Sequence, residues 1–289
     1  MSGWRVIVVT GRSKLDLRYN SISIRRDNGT DFIHIGEVNT LILETTTISI
    51  TAALMCELIK QKVKVIFCDE KSNPHFELLP FYGSHDCSAK IKEQIAWTDF
   101  LKESLWTVIV TEKVENQMKK LNKEEYRILE EYLSQIEHND STNREGHSAK
   151  IYFSALFGNN FSRNKENSLN AFLNYGYQLL LSAFNKEIVA NGYLTQIGIF
   201  HKNMFNYYNL SSDLMEPFRV IVDELAYKEN PQKFEKDEKR KLQNILNLKF
   251  RINNVNHYLS DVIKIYTKSI FDALSSNDLS LVRFFQDEL

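Results

Sequence analysis

Three short segments in the second half of the chain concentrate groups able to hold a hard divalent cation or move a proton. They are Asn143-Arg144-Glu145-Gly146-His147, Gly198-Ile199-Phe200-His201-Lys202-Asn203, and Ser211-Ser212-Asp213-Leu214-Met215-Glu216-Pro217-Phe218-Arg219. Two carboxylates and an imidazole from separate helical segments could converge on one ion. Oxygen ligands suit Mg²⁺ and Mn²⁺ alike, and an imidazole leans the set toward Mn²⁺. Such a centre lowers the pKa of a bound hydroxyl and stabilises charge on a phosphoryl oxygen. Each residue also has a plainer reading. Thr142-x-x-Glu145 and Asp213-x-x-Glu216 both fit the capping box, in which the later carboxylate reaches back to a free amide at a helix start. Pro217 fits a first-turn position under either reading. A lone histidine such as His201 is usually a core or surface residue, and His147, His85 and His75 have no distinguishing context.

The elements that must position these groups follow from periodicity. Val6–Val9 form a β-branched run, and Leu15/Leu17 and Ile22/Ile24 alternate with polar neighbours at period two, as half-buried strands do. Asp27-Asn28-Gly29-Thr30 reads as a hairpin turn. Ile33 and Ile35, Leu41–Leu43 and Val63–Cys68 continue the strand pattern, with one short helix over Ala52–Leu58. From about Ser88 the period becomes helical. Trp97, Leu101, Leu105 and Val108 share a stripe, which reads as core. Further helices are expected over Glu124–Ile136, Gly146–Phe157, Leu169–Val189, Leu214–Tyr227, Gln243–Leu248 and Val255–Leu274. The expected class is α+β: a β-rich N-terminal domain (1–75), a linker (76–90) containing Pro80-Phe81-Tyr82-Gly83, and a larger all-α domain (91–289).

Composition narrows the function. The 289 residues carry 36 Lys+Arg against 37 Asp+Glu, so any nucleic-acid contact must come from local patches. The most basic long stretch is 228–251, which includes Lys239, Arg240 and Lys241; it fits a solvated helix face or a phosphate-contacting surface. The cysteines Cys56, Cys68 and Cys87 match neither a disulfide framework nor a zinc ribbon. No apolar run approaches a bilayer span, and the N-terminus lacks a signal-peptide pattern. A cytoplasmic protein without membrane contact is expected.

The stretch Thr195–His201 followed by Asn209–Arg219 closely resembles the signature of the CRISPR-associated spacer-acquisition integrase family, the universal adaptation endonuclease-integrase of CRISPR systems. Asn143–His147 resembles its upstream acidic helix, and Asn170-Ala171-Phe172-Leu173-Asn174-Tyr175-Gly176-Tyr177 resembles the helix between them. Residues 4–9 and 63–69 look like its N-domain strands. The wording of Pro80–Gly83 and Asn143–His147 looks like the type II branch, II-A. The resemblance implies a catalytic all-α domain behind a β-rich dimerisation domain. It places metal ligands at Glu145, His201 and Glu216, with Asp213 as an accompanying catalytic acid near the ion. Glu216 stands where many relatives carry Asp.

The activity so implied is insertion of new spacers, in which a spacer 3′-hydroxyl attacks the phosphodiester at a repeat border with Mg²⁺ or Mn²⁺; hydrolysis is the same chemistry with water. The implied partners are double-stranded DNA (prespacer and CRISPR repeat), a second copy of the chain, and the smaller second spacer-acquisition subunit. The type II effector nuclease and a ring-forming accessory protein join them. Lys202 and Arg219 sit beside the site, to contact the phosphate or, for Arg219, to pair a buried carboxylate. Tyr207 and Tyr208 are placed to stack on frayed DNA ends, while Tyr175 and Tyr177 read as helix packing. Two rivals stand beside this reading. One is a structure-specific, metal-dependent DNA nuclease acting in repair; the other is a non-catalytic DNA-binding scaffold in which the acids and histidine are caps and core.

Overall fold

The computed structural model describes residues 3–80 and 83–286; Phe81 and Tyr82 of the Pro-Phe-Tyr-Gly motif lie outside the described residues. Strands β1 (Arg5–Val9), β2 (Ser13–Arg18), β3 (Ser21–Arg26), β4 (Gly29–His34), β5 (Val38–Leu43) and β6 (Ile48–Ile50) lead into helix α1 (Ala52–Lys60). The β-rich part closes with β7 (Lys64–Cys68) and β8 (Pro74–Leu78). One sheet runs β4-β3-β2-β6 and the other β1-β5-β7-β8. The Asp27-Asn28 turn joins β3 to β4, with Arg26 paired to Gly29.

The second sheet is the wall shared by both halves of the molecule. Alternate side chains on a strand face opposite ways. Leu41, Leu43 and Val65 accordingly pack on the N-terminal core with Leu15, Ile22 and Leu54. Ile42, Ile66 and Cys68 pack into the helical core. β5 is buried along its whole length for this reason. The wall is also tied by polar contacts: Ser182 and Asn185 donate to Glu77 at 2.7 and 2.9 Å, and Gln243 donates to Glu44 at 3.2 Å. Secondary structure occupies both ends of the expected 76–90 linker, because β8 runs to Leu78 and the next helix starts at Cys87.

That helix is α2 (Cys87–Ala96), followed by α3 (Asp99–Met118), α4 (Lys123–Ser134), α5 (Arg144–Phe157) and α6 (Ser168–Ala190). Then come α7 (Asn209–Leu214), α8 (Arg219–Glu229), α9 (Lys236–Gln243), the strands β9 (Lys249–Ile252) and β10 (Val255–Tyr258), and α10 (Leu259–Ser276). α6 lies at the centre, packed on α7, α8, α9 and α10. Gly176 permits its close approach to α8, since a Cβ there would lie 2.5 Å from the Val222 side chain.

Three helical expectations change. The helix expected over Leu214–Tyr227 is broken: Pro217 has no N–H to give the carbonyl four residues back, so a 3₁₀ turn (Glu216–Phe218) separates α7 from α8. Gln243–Leu248 is the end of α9 plus a 3₁₀ turn at Ile245–Asn247. Val255–Leu274 begins as a strand, because Asn253 and Asn254 both take positive φ (51° and 62°) and turn β9 back on itself. The C-terminal part is thus helical with one small hairpin. No helix among the described residues is long and apolar enough to cross a membrane.

Candidate active site

α3 is the floor of the site. Ile109, Val110 and Val114 are buried on it, and Lys113 is buried in the same face. The Lys113 ammonium salt-bridges Glu145 at the start of α5 and lies 2.6 Å from Oε2 of Glu216 in the 3₁₀ turn. Two carboxylates from separate elements thus converge on one cation. Burial opposes the lysine's charge, but Glu216 and Glu145 outweigh it and hold its pKa above the ordinary value. Glu216 is 6% exposed. Burial alone would raise its pKa, yet Arg219 and Lys113 together bring it down to about 2.

Neither carboxylate is a helix cap. Asp140 accepts the α5 N-terminal amides of Arg144 and Glu145 at 2.8 and 3.0 Å. Thr142 donates to the Gln135 carbonyl instead. Asp213 lies inside α7 rather than at an N-cap position, so the Asp213-x-x-Glu216 box is absent as well.

Asp213 has a different task. It is fully buried, and its Oδ2 accepts the amides of Ile199 (2.6 Å) and Phe200 (3.0 Å). Its Oδ1 accepts the His201 amide (3.1 Å) and faces the His201 ring Nδ1 at 2.5 Å. The carboxylate thereby fixes both the backbone and the ring of the Gly198–His201 turn. That hydrogen bond, against an opposing effect of burial, raises the His201 pKa. In the neutral imidazole that gives its Nδ1–H to Asp213, Nε2 has its lone pair free for a ligand. Gly198 is required here: a Cβ would come 2.4 Å from the His201 carbonyl and 2.7 Å from Asp213 Oδ2. Trp106 on α3 stacks on Phe200 (4.3 Å between ring centres, 3° between planes) and meets the His201 ring edge-on.

The donors suit a hard cation, two carboxylates with one oriented imidazole. Among the described residues, however, no three His, Cys, Asp or Glu side chains stand together as a ready metal cluster. Lys113 occupies the point on which Glu145 and Glu216 converge. Arg219 takes the carboxylate-pairing role: its Nε is 2.9 Å from Glu216 Oε1, and its guanidinium lies 4.7 Å over the Tyr177 ring. Tyr177 donates to buried Asp223, and Tyr175 is buried against Gln243 and Phe234, so both are packing residues. Lys202 and Tyr207 are exposed and Tyr208 is half-buried.

The basic stretch corrects the sequence reading in part. Lys239 turns inward, bonds to the Lys71 carbonyl and lies over the Tyr175 and Phe234 rings. It is a buried strut rather than a surface contact. Arg240 and Lys241 remain outside, facing Asp237 and Glu229. Lys113 was missed by the sequence reading, although its signal is there: a lysine four residues after Ile109 on an apolar face.

A β-rich layer carrying a helical unit is the layout the sequence signature implied. The family model for CRISPR associated protein Cas1 matches residues 6–258, and the chain belongs to that family. It is 31% identical over 224 residues to a CRISPR-associated endonuclease Cas1 of Neisseria meningitidis serogroup C (strain 8013), covering 76% of this chain and 74% of that protein. Its fold is similar to a chain of a Cas6-RT-Cas1–Cas2 complex (TM-score 0.77, 15% identity) over all of this chain and 36% of that longer one. It is also similar to a casposase bound to integration product (TM-score 0.75, 18% identity), with 96% and 92% of the two chains covered.

Proposed function

We propose that the protein is a metal-dependent DNA endonuclease-integrase of CRISPR adaptation, joining a spacer 3′-hydroxyl to the phosphodiester at a repeat border. The observation that carries this reading is the convergence of Glu145 and Glu216 on one buried cation position, together with His201, whose charge Glu216 also favours and whose ring is set by Asp213. Family membership and the integration product held by a structural relative of the same fold support it.

Glu145, Glu216 and Nε2 of His201 would hold Mg²⁺ or Mn²⁺, with Lys113 giving up its place between the carboxylates. The ion supplies charge neutralisation at the phosphoryl oxygens and makes a hydroxyl easier to deprotonate. Exchange of one phosphodiester for another needs no high-energy cofactor, so positioning is the main demand on the protein. Asp213 meets it for His201, and Arg219 meets it for Glu216 by fixing Oε1. Water in place of the 3′-hydroxyl gives hydrolysis at the same site.

The active form in this reading is a homodimer through the N-terminal sheets, assembled with the smaller second subunit as in the Cas1–Cas2 complex among its structural relatives. The test is a branched DNA mimicking a half-integrated spacer, incubated with Mg²⁺ or Mn²⁺ and wild type or His201→Ala. A longer, joined strand that is lost in the variant is the expected result. Cutting without joining would place the protein among repair nucleases. No reaction with either ion, even with the second subunit added, would overturn the reading.

A further inference from the structure

Met204, Phe205 and Tyr207 are 86%, 84% and 71% exposed, and Phe200 is 42% exposed. Four of the fourteen exposed large apolar side chains among the described residues therefore lie in eight consecutive positions, directly after and around His201. Isolated exposed apolar residues are ordinary, but a cluster needs a reason.

The loop holds these side chains outward by construction. Asn203 Oδ1 accepts the Phe205 amide and Asn206 Oδ1 accepts the Tyr208 amide, both at 2.9 Å. Buried Asn209 donates to the carbonyls of Asn203 (3.0 Å) and Gln196 (3.1 Å), and Thr195 donates to the Tyr207 carbonyl at 2.8 Å. At the other end Phe200 is stacked on Trp106. The loop backbone is thus ordered before anything docks, which lowers the entropy cost of binding.

Charge selects the occupant. Residues 188–212 contain no Asp or Glu, and Lys202 stands within the aromatic run, with Asp99 at the start of α3 as a nearby carboxylate that also pairs with Lys102. The next carboxylate, Asp213, is buried and occupied by the amides of the turn. Separate aromatic faces interleaved with a cation form a stacking platform for unpaired bases, which present a π-face on an anionic backbone. We propose that Met204, Phe205 and Tyr207 receive unstacked nucleobases of the DNA strand whose phosphodiester lies at the Glu145–His201–Glu216 site. This rests on the reading of that site as one that acts on DNA, and it adds what grips the strand there: a platform that frays the end and sets the register of the reacting phosphate.

The experiment uses the full chain and branched DNA carrying 2-aminopurine at the unpaired base next to the junction, in EDTA so that no strand is altered. Wild type should change the 2-aminopurine fluorescence. Phe205→Ala should remove most of that change and weaken binding about tenfold, as loss of one base–aromatic stack does. Phe205→Trp should restore both, and Tyr126→Ala, an exposed aromatic on α4, should alter neither. His201→Ala should keep the signal while losing strand chemistry. If wild type gives the signal but neither joins nor cuts DNA with metal, the function proposed above fails and the platform stands. An unchanged signal in Phe205→Ala would overturn the platform. So would a variant that keeps its DNA affinity but loses self-association or subunit binding in sedimentation, since the loop would then be a protein contact.

Discussion

The Lys113 ammonium lies 2.6 Å from Glu216 Oε2 and salt-bridges Glu145 as well, so one buried side chain of α3 links the start of α5 to the turn between α7 and α8. Removing one partner of a buried ion pair leaves uncompensated charge and costs about 3–5 kcal/mol. Lys113→Met is therefore expected to melt well below wild type in EDTA. A divalent ion supplies the missing positive charge, so Mn²⁺ should raise the melting temperature of the variant more than that of wild type. Thermal denaturation with and without Mn²⁺ checks both parts. Equal melting in EDTA would mean that the pair gives no net stability.

Asp213 serves His201 and the backbone at once, and its variants should separate the two. Asp213→Ala leaves the amides of Ile199, Phe200 and His201 without their acceptor in a buried place. Each such loss costs about 1–3 kcal/mol, so both stability and DNA joining should fall. Asp213→Asn offers the same shape but sets an NH₂ against N–H donors, and it should lose joining as fully as His201→Ala. Chemical denaturation and strand-joining assays on the same preparations distinguish these outcomes.

Much of the site was readable because the chemistry is local in sequence. Gly198-x-x-His201 forms one turn and Asp213-x-x-Glu216 runs from the end of α7 into the 3₁₀ turn, and the alternation of Leu15/Leu17 and Ile22/Ile24 marked one N-terminal sheet. Long-range contacts were not readable. Lys113 lies 103 residues from Glu216, and nothing in its own segment says which carboxylates it meets. Lys239 was misread for a related reason: a lysine stem can bury itself among aromatic rings while its neighbours Arg240 and Lys241 stay in water. The Thr142-x-x-Glu145 capping box failed because a better acceptor, Asp140, already held the α5 amides, and the Asp213-x-x-Glu216 box failed because Asp213 lies inside α7. The β9–β10 hairpin carried its own signal, since adjacent asparagines tolerate the positive φ that a two-residue turn demands.

The pH dependence of stability should carry the mark of Glu112, one residue before Lys113. Burial, with a smaller contribution from the nearby Glu115, raises its carboxyl to about 7 despite Lys119 and Asn116. A carboxyl raised in the folded state binds its proton more tightly there than in the unfolded chain. Its contribution to stability is complete below the ordinary value of 4.5 and is lost as pH rises to about 7. Asp223, raised by burial to about 6, acts in the same direction from 3.8 upward. Glu112→Gln should remove its share of the decline, about 3 kcal/mol between acid and neutral pH. Urea titrations at a series of pH values read this directly, and a slope unchanged by the substitution would refute the assignment.

Gly198→Ala tests whether the His201 turn tolerates any added volume. The new methyl would stand 2.4 Å from the His201 carbonyl oxygen and 2.7 Å from Asp213 Oδ2, closer than real contacts allow. Neither neighbour is free to yield: the carbonyl is backbone, and the carboxylate is held by three amides and the imidazole. Overpacking of this kind costs about 1–3 kcal/mol. Relief would have to come from moving His201 relative to Asp213. The alanine variant should therefore fold with reduced stability and lose strand joining almost completely, because the ring would no longer be aimed by its carboxylate. Gly11→Ala is the matched control, since a Cβ there meets nothing within 4 Å. Joining at the wild-type rate in Gly198→Ala would show that the position of His201 in this turn does not govern the chemistry.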